Sequence, residues 1–184
     1  MSAWIIYLIE AGGYWGIVLL MALENIFPPI PSEIIMGVGG LAVARGNMQF
    51  VPLLIAGTLG SAVGNYVLFL IADRLGYERL QPLVDRWGRW LTVEWQDVET
   101  GTRYFREKGG LVVFVLRFLP MFRSVVSIPA GLAHMGHLRF LLYTAAGAAI
   151  WNAVLIGVGQ WAWRRFSDVE NWLGWVTIAI AALA

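Results

Sequence analysis

The sequence contains no cysteine, few charged residues (14%) and almost no excess of either charge, and each scarcity excludes a class of protein. Without cysteine there is no disulfide, no thiol nucleophile and no thiolate metal site. The 13 Lys and Arg against 12 Asp and Glu give a formal net charge of +1, which argues against nucleic-acid binding because that needs a basic surface. The N-terminus has no basic region before its first apolar stretch, so it does not read as a cleaved signal peptide.

What the sequence has in abundance is apolar residues, which make up 59% of its 184 positions. A soluble domain of this size is about 45–50% apolar and about 25% charged, so the excess cannot all be buried in one core. The composition therefore predicts an integral membrane protein, and the lengths of its apolar stretches predict that it is all-α.

Two stretches, 48–72 and 140–163, are long enough to cross a bilayer as helices, which takes about 20 apolar residues. The other apolar stretches are short: 14–27 and 34–44 are separated by a proline-rich break, and 111–138 is interrupted internally. The interrupting residues are Pro28, Pro29, Pro31, Arg117, Pro120, Arg123 and Pro129. Proline ends a helix because it lacks an N–H and its ring clashes with the preceding turn.

Short apolar halves around such a break are typical of a re-entrant hairpin, whose irregular backbone must be buried in protein or line a cavity. The order hairpin then span occurs twice, and the spacing of Gly60 and Asn65 recurs in Gly147 and Asn152. A hairpin does not cross the membrane and a span does, so the second half starts on the opposite face. The pattern predicts an inverted repeat of hairpin plus span, with four ordinary kinked helices as the alternative.

Between the repeats, residues 73–110 hold seven basic and seven acidic residues. One helix face carries Leu80, Val84, Trp87 and Leu91. This predicts an interfacial helix with Trp87, Trp90 and Trp95 at headgroup depth, or a small soluble helical hairpin. The distribution of Lys and Arg places the segment in the cytoplasm. The predicted parts of the single membrane domain 1–184 are the first repeat 14–72, the segment 73–110, the second repeat 111–163 and a C-terminal helix 164–184.

Four ionisable residues, Glu24, Glu33, Arg117 and Arg123, lie within the two predicted hairpins. Each costs at least about 2.5–3.5 kcal/mol to insert, so each needs a reason to be there. One explanation is structural: the four groups neutralise one another as buried ion pairs. The functional explanation is that the two guanidinium groups bind a phosphate, while carboxylates in a low dielectric favour the protonated form and exchange protons. The sequence predicts neither a metal nor a cofactor.

Two runs around these residues resemble the signatures of the DedA family, also called the VTT or SNARE-associated domain family. The first run is Glu24-Asn25-Ile26-Phe27-Pro28-Pro29-Ile30-Pro31-Ser32-Glu33. The second is Arg117-Phe118-Leu119-Pro120-Met121-Phe122-Arg123, followed by Pro129-Ala130-Gly131. The runs at 60–66 and 147–152 are similar to the family too, so the resemblance covers roughly residues 15–160.

The resemblance implies a multi-pass lipid transporter of the bacterial plasma (inner) membrane, with two opposed re-entrant hairpins. Family members are linked to recycling of undecaprenyl phosphate, eukaryotic relatives to phospholipid scrambling, and some bacterial members to the proton-motive force. By this resemblance Glu24, Glu33, Arg117 and Arg123 are the essential positions. With the functional explanation above, Arg117 and Arg123 are expected to bind the substrate phosphate, and Glu24 and Glu33 to serve proton coupling or gating. The residues expected to line the cavity or break the hairpins are Asn25, Pro28, Pro31, Asn65, Pro120, Pro129, Gly131 and Asn152.

Four functions remain open at this point. The first is a flippase-like carrier for undecaprenyl phosphate, driven by protons or not. The second is a glycerophospholipid scramblase, for example for phosphatidylethanolamine. An intramembrane lipid phosphatase lacks an acidic partner for His134 in its own segment, and a proton-coupled cation antiporter leaves the two arginines unexplained. The prediction is a non-enzyme whose partners are membrane lipids and, in the coupled case, protons. A homo-oligomer is left open.

Overall fold

The computed structural model describes residues 2–26, 32–91, 111–118 and 122–166, together with the isolated positions 96, 100, 102 and 103. All regular structure within these residues is helical, as predicted. The helices are α1 (Ser2–Ile26), α2 (Ser32–Ala44), α3 (Phe50–Leu91), α4 (Leu111–Leu116), α5 (Phe122–Val125), α6 (Ser127–Leu132) and α7 (His137–Phe166).

The two predicted spans lie in the two longest helices, α3 and α7. Both contain windows long and apolar enough to cross a membrane, 50–82 and 137–165. Along α3 an exposed apolar side chain recurs every four residues, at Val51, Ile55, Leu59, Val63, Val67 and Ile71. Twenty residues of helix rise about 30 Å, the thickness of the hydrocarbon core, so this face is suited to lipid contact.

The helix α1 is longer than the predicted apolar half 14–27. It begins at Ser2 and changes direction at Gly13, whose positive φ of 52° is readily adopted only by glycine. After α1 the prolines Pro28 and Pro31 lie outside the described residues. The hydroxyl of Tyr14 accepts a hydrogen bond from the backbone N–H of Gln49 at 2.9 Å. The beginning of the apolar part of α1 therefore lies beside the chain that leaves α2.

The second interrupted stretch forms three short helices, α4 to α6. Pro120 lies outside the described residues. Pro129, which was expected at a break, occupies the third position of α6, within its first turn, where a helical N–H has no partner to lose. The interruption between α5 and α6 is the single residue Val126, three positions before Pro129.

The segment after the first span continues as helix. α3 extends to Leu91 and turns at Gly76, which has a positive φ of 66°. The side chains of Trp87, Trp90 and Trp95 are outside the described part, so the predicted interfacial position of these tryptophans stays a prediction. The same holds for the predicted C-terminal helix 164–184, of which only the beginning, as the end of α7, is described.

The helices of the two predicted hairpins pack in an exchanged way: the first helix of each hairpin, its first arm, packs on the long helix of its own half, and the last helix, its last arm, packs on the long helix of the other half. α1 packs along α3 and α4 along α7, while α2 packs on α7 and α6 packs on α3. Glycines allow these approaches: a Cβ at Gly40 would meet the Ile156 carbonyl, and one at Gly131 would meet the Phe69 carbonyl. Close contact between helices through small residues is the usual packing mode where lipid removes the hydrophobic drive for association.

Two apolar clusters flank a polar layer in the middle of the bundle. One cluster joins α1, α2, α3 and α7 around Leu20, Met36 and Ile156. The other joins α3, α4, α6 and α7 around Phe69 and Phe140. The buried polar residues collect between them, and this layer contains the candidate site.

Candidate functional site

A small cavity in the polar layer is formed by side chains from α1, α3, α5 and α7 and by Arg117, which follows α4. Its lining residues are Glu24, Asn25, Ser61, Asn65, Arg117, Arg123, Ala148, Trp151 and Asn152. The free space among them is about the volume of one water molecule. The two predicted arginines therefore line one cavity, although they are six residues apart, because the backbone between them is not one continuous helix.

Arg123 is the centre of the charged half of the cavity. Its guanidinium donates hydrogen bonds to the Glu24 carboxylate and to the Ser32 hydroxyl. Glu24 is only 4% exposed. Glu33 lies farther away, with 3.7 Å between its Oε1 and Arg123 Nη1, and its side chain is 39% exposed. Glu33 also sits in the first turn of α2, where a carboxylate is favoured by the helix dipole.

Arg117 is held differently. It is 3% exposed, and its Nη2 donates to Thr144 Oγ1 at 3.0 Å and, more weakly, to Ser127 Oγ at 3.4 Å. Its side chain passes over Gly147, where a Cβ would collide with it. Within the described residues Arg117 forms no ion pair, so its charge is not neutralised by a bonded carboxylate.

Asn65 connects the two halves of the layer. It is fully buried, and its Nδ2 donates to Asn25 Oδ1 at 2.6 Å and to the Ser61 carbonyl at 2.8 Å. Its Oδ1 accepts a hydrogen bond from Ser127 Oγ at 2.8 Å. A continuous chain of hydrogen bonds thus runs from α1 through α3 and α6 to Arg117 and α7. Networks of this kind define one arrangement of the helices when all members are satisfied.

Four buried polar atoms at the cavity have no hydrogen-bond partner within the described part of the chain. They are Arg117 Nε, Trp151 Nε1, Asn152 Nδ2 and Glu24 Oε2. Three of these four are donors. An unsatisfied buried donor costs about 1–3 kcal/mol, so a cluster of them indicates a site for an acceptor-rich ligand.

Of the expected residues that the structure describes, Glu24, Asn25, Asn65, Asn152 and both arginines line the cavity, and Glu33, Pro129 and Gly131 do not. Gly131 packs against α3 instead. Sequence reasoning missed the hydroxyl groups of Ser32, Ser127 and Thr144, and it missed Trp151. Their only signal was a small polar or aromatic residue within an apolar segment, which is too common to single out.

A second polar pair lies outside the cavity, where α3 meets the end of α6. His134 Nδ1 is 2.8 Å from Asp73 Oδ1, and the His134 side chain is 71% exposed. The expectation that His134 lacks an acidic partner held only for its own segment, because the partner comes from α3. Nearby, the Tyr66 hydroxyl is 3.2 Å from His137 Nδ1. Neither histidine lines the cavity.

Comparison with known proteins identifies relatives across most of the chain. The VTT domain matches residues 30–161. An alkaline phosphatase-like protein of Lactococcus lactis subsp. cremoris is 38% identical over 180 residues, covering 96% of this chain and 84% of that protein. Undecaprenyl phosphate transporter A of Staphylococcus aureus is 34% identical over 80% of this chain and 73% of its own length. The protein of the same name in Bacillus subtilis is 32% identical over 94% and 83%. No solved structure matches the chain.

Proposed function

Because the chain belongs to the VTT domain family, also called the DedA family, we propose that it moves a phosphate-headed lipid, undecaprenyl phosphate, between the leaflets of the bacterial inner membrane. The observation that carries this proposal is the pair of arginines lining one buried cavity between two membrane-length helices. Guanidinium groups bind phosphate oxygens through paired N–H donors. Two relatives that bear the name of undecaprenyl phosphate transporter support the choice of lipid.

The arrangement is a closed state in which Glu24 occupies the place of the substrate. The carboxylate is hydrogen-bonded to Arg123, and the remaining free space is too small for a phosphate group. A headgroup enters when Glu24 releases Arg123 and the helices that carry them separate. Protonation of Glu24 removes its charge and favours this release, which couples lipid binding to protons.

The same proposal includes two re-entrant hairpins, α1–α2 and α4–α6, as halves of an inverted repeat spanning 14–72 and 111–163. The exchange of arms supports it, since the first arm of each hairpin packs on its own span and the last arm on the other. The glycine contacts follow the same relation. A Cβ at Gly40 would meet Ile156 in the second span, and a Cβ at Gly131 would meet Phe69 in the first span. Phe69 and Ile156 are separated by the same number of residues as Asn65 and Asn152, so they hold equivalent positions in the two halves.

Side-specific labelling tests the first hairpin. The chain has no cysteine, so Gly12→Cys and Asn47→Cys, the latter at an exposed position of the turn after α2, can each be made as the single thiol. The bond between Tyr14 and Gln49 supports a common depth for the two ends of the hairpin. We expect an impermeant maleimide to label both variants from the same side of the membrane. Labelling from opposite sides would replace the hairpin with two ordinary crossings.

Transport in proteoliposomes tests the lipid and the arginines. A short-chain polyprenyl phosphate and a labelled phosphatidylethanolamine are offered in parallel to wild type, Arg117→Ala, Arg123→Ala and the control Arg45→Ala. Arg45 lies 4.3 Å from the ring centre of Trp163, away from the cavity. We expect polyprenyl phosphate alone to move, with wild type and Arg45→Ala. Lysine at either cavity position is expected to fail too, because a point charge does not replace the planar fork.

Other outcomes of this assay contradict parts of the proposal. Normal transport by Arg117→Ala or Arg123→Ala, in protein that still elutes as a folded species, would remove that arginine from the phosphate site. Equal movement of both lipids by wild type would make the protein a scramblase. Movement of neither lipid would reject lipid transport.

Glu24→Gln tests proton coupling. We expect wild-type lipid binding to strengthen as pH falls, because a protonated Glu24 no longer competes for Arg123. The glutamine variant is expected to bind at least as well as wild type at neutral pH and to lose this pH response. Glu33→Gln is the matched control, since Glu33 is more exposed and farther from Arg123, and its change should be smaller. An unaltered pH profile in Glu24→Gln would leave Glu24 as a structural partner only.

A lipid phosphatase is the second candidate, because relatives are named alkaline phosphatase-like and His134 pairs with Asp73. A histidine held by a carboxylate is a common acid–base unit. The pair lies outside the cavity that contains the arginines, however. We expect the purified protein to release no inorganic phosphate from polyprenyl phosphate, and release that is lost in Asp73→Asn would favour the enzyme.

A further inference from the structure

The donor groups of α7 at the cavity have no role in the resting structure. Trp151 Nε1 and Asn152 Nδ2 are buried without a partner among the described residues. Asn152 is 1% exposed, and its amide lies against Gly57, where a Cβ would approach Nδ2 to 3.2 Å. The residue is therefore packed in place with its donor unused.

The same face of α7 positions Arg117. Thr144 accepts a hydrogen bond from Arg117, Gly147 lies beneath its side chain, and Trp151 follows one turn later. Positions separated by three and four residues lie on one side of a helix. Arg117 has one further donor without a partner in the described residues, its Nε. Arg117, Trp151 and Asn152 all line the cavity.

We infer that Trp151 and Asn152 donate hydrogen bonds to the phosphate oxygens of the bound headgroup beside Arg117, forming an uncharged half of the anion site. This inference rests on the proposed function, in which the bound phosphate is the headgroup of the transported lipid. Arg123 is bonded to Glu24 in the resting structure, whereas the donors on α7 have no hydrogen-bond partner among the residues that the structure describes. Once Glu24 has released Arg123, the entering phosphate binds the donors on α7 and the guanidinium groups together.

The uncharged donors also bear on which phosphate is accepted. A terminal phosphate has three unesterified oxygens, whereas a phosphodiester lipid has two. Three unpartnered donors together with the fork of Arg123 provide enough hydrogen bonds for the terminal group. A phosphodiester offers one unesterified oxygen fewer and a smaller negative charge, so its interaction with these donors and with the guanidinium groups is weaker. The site therefore selects a phosphate monoester.

The test uses the full-length protein in detergent, with the indole N–H groups of its ten tryptophans observed by NMR. The Trp151 resonance is identified by its loss in Trp151→Phe, which removes the N–H and keeps an aromatic ring. The probes are a short-chain polyprenyl phosphate, the corresponding polyprenol, and inorganic phosphate. Trp161→Phe is the matched control, because Trp161 is on the same helix, 62% exposed and outside the cavity.

We expect polyprenyl phosphate to move the Trp151 resonance downfield and polyprenol to leave it in place. Trp151→Phe should weaken binding of polyprenyl phosphate about 10- to 100-fold, as expected for one lost hydrogen bond to a charged group, and Trp161→Phe should bind normally. Asn152→Asp replaces the donor with a negative charge and should lose more, while Asn47→Asp, on the exposed turn after α2, should lose nothing.

The outcomes separate this inference from the proposed function. Wild-type binding that depends on Arg117, with a stationary Trp151 resonance and full affinity in Trp151→Phe, would overturn the inference and leave lipid transport intact. A response of Trp151 to inorganic phosphate, in protein that moves no lipid, would support the anion site and reject the transport proposal. A Trp151 resonance that responds to no phosphate compound would overturn the inference whatever the transport result.

Discussion

Replacing Asn65 with alanine should loosen the bundle at its polar layer. The side chain of Asn65 joins α1 to α6 through hydrogen bonds with Asn25 and Ser127, and it also caps the Ser61 carbonyl within α3. The change removes both bonds between helices. It leaves the donor of the buried Ser127 hydroxyl without the oxygen it now uses.

The size of the effect follows from the number of bonds lost. Hydrogen bonds between membrane helices contribute about 0.6 kcal/mol on average and up to about 1.7 kcal/mol, because the unfolded state in a membrane also finds partners. Two such bonds amount to about 1–3 kcal/mol. For a chain of this length 1 kcal/mol shifts the melting temperature by about 2–4 °C, so Asn65→Ala should melt roughly 2–12 °C lower.

The assay is thermal unfolding of purified protein in one detergent. Asn47→Ala is the control, since Asn47 is an exposed asparagine in the turn after α2. The control should melt with wild type. If Asn65→Ala lowers the melting temperature no more than Asn47→Ala does, the hydrogen-bond chain does not hold the helices together, and the argument that it positions Arg117 fails as well.

Two further predictions address packing and the position of Arg117. Gly64→Ala should destabilise the protein, because a Cβ there meets the Ala22 carbonyl. The control Gly157→Ala has open space around it and should be neutral or slightly stabilising from helix propensity alone. Melting curves measured in parallel test this, and equal shifts in the two melting temperatures would contradict close packing of α1 on α3. Thr144→Val keeps the shape of the side chain but removes the acceptor for Arg117. Lipid transport should therefore fall several-fold, while the melting temperature changes by only a few degrees. Unchanged transport would show that Thr144 does not position the guanidinium.

Much of the fold and part of the site could be predicted from the sequence because the signals are local. Hydropathy over about 20 residues identified the spans in α3 and α7. Insertion cost alone singled out Glu24, Arg117 and Arg123, which line the cavity. Of the prolines expected at the breaks, the structure describes Pro129, which lies in the first turn of α6, where its missing N–H costs nothing.

The tertiary structure decided which polar groups meet. The pattern of two opposed hairpins predicted two acids near two arginines, but only packing assigns Arg123 to Glu24 and gives Arg117 hydroxyl partners from α6 and α7. The donors on Trp151 and Asn152, which have no partner within the described part of the chain, could not be predicted from the sequence either, because a missing partner is a property of the surroundings and not of the residue. Sequence determines what each segment can bury. Contacts between segments far apart in the chain depend on which helices approach closely, and here glycines such as Gly40 and Gly131 set those approaches.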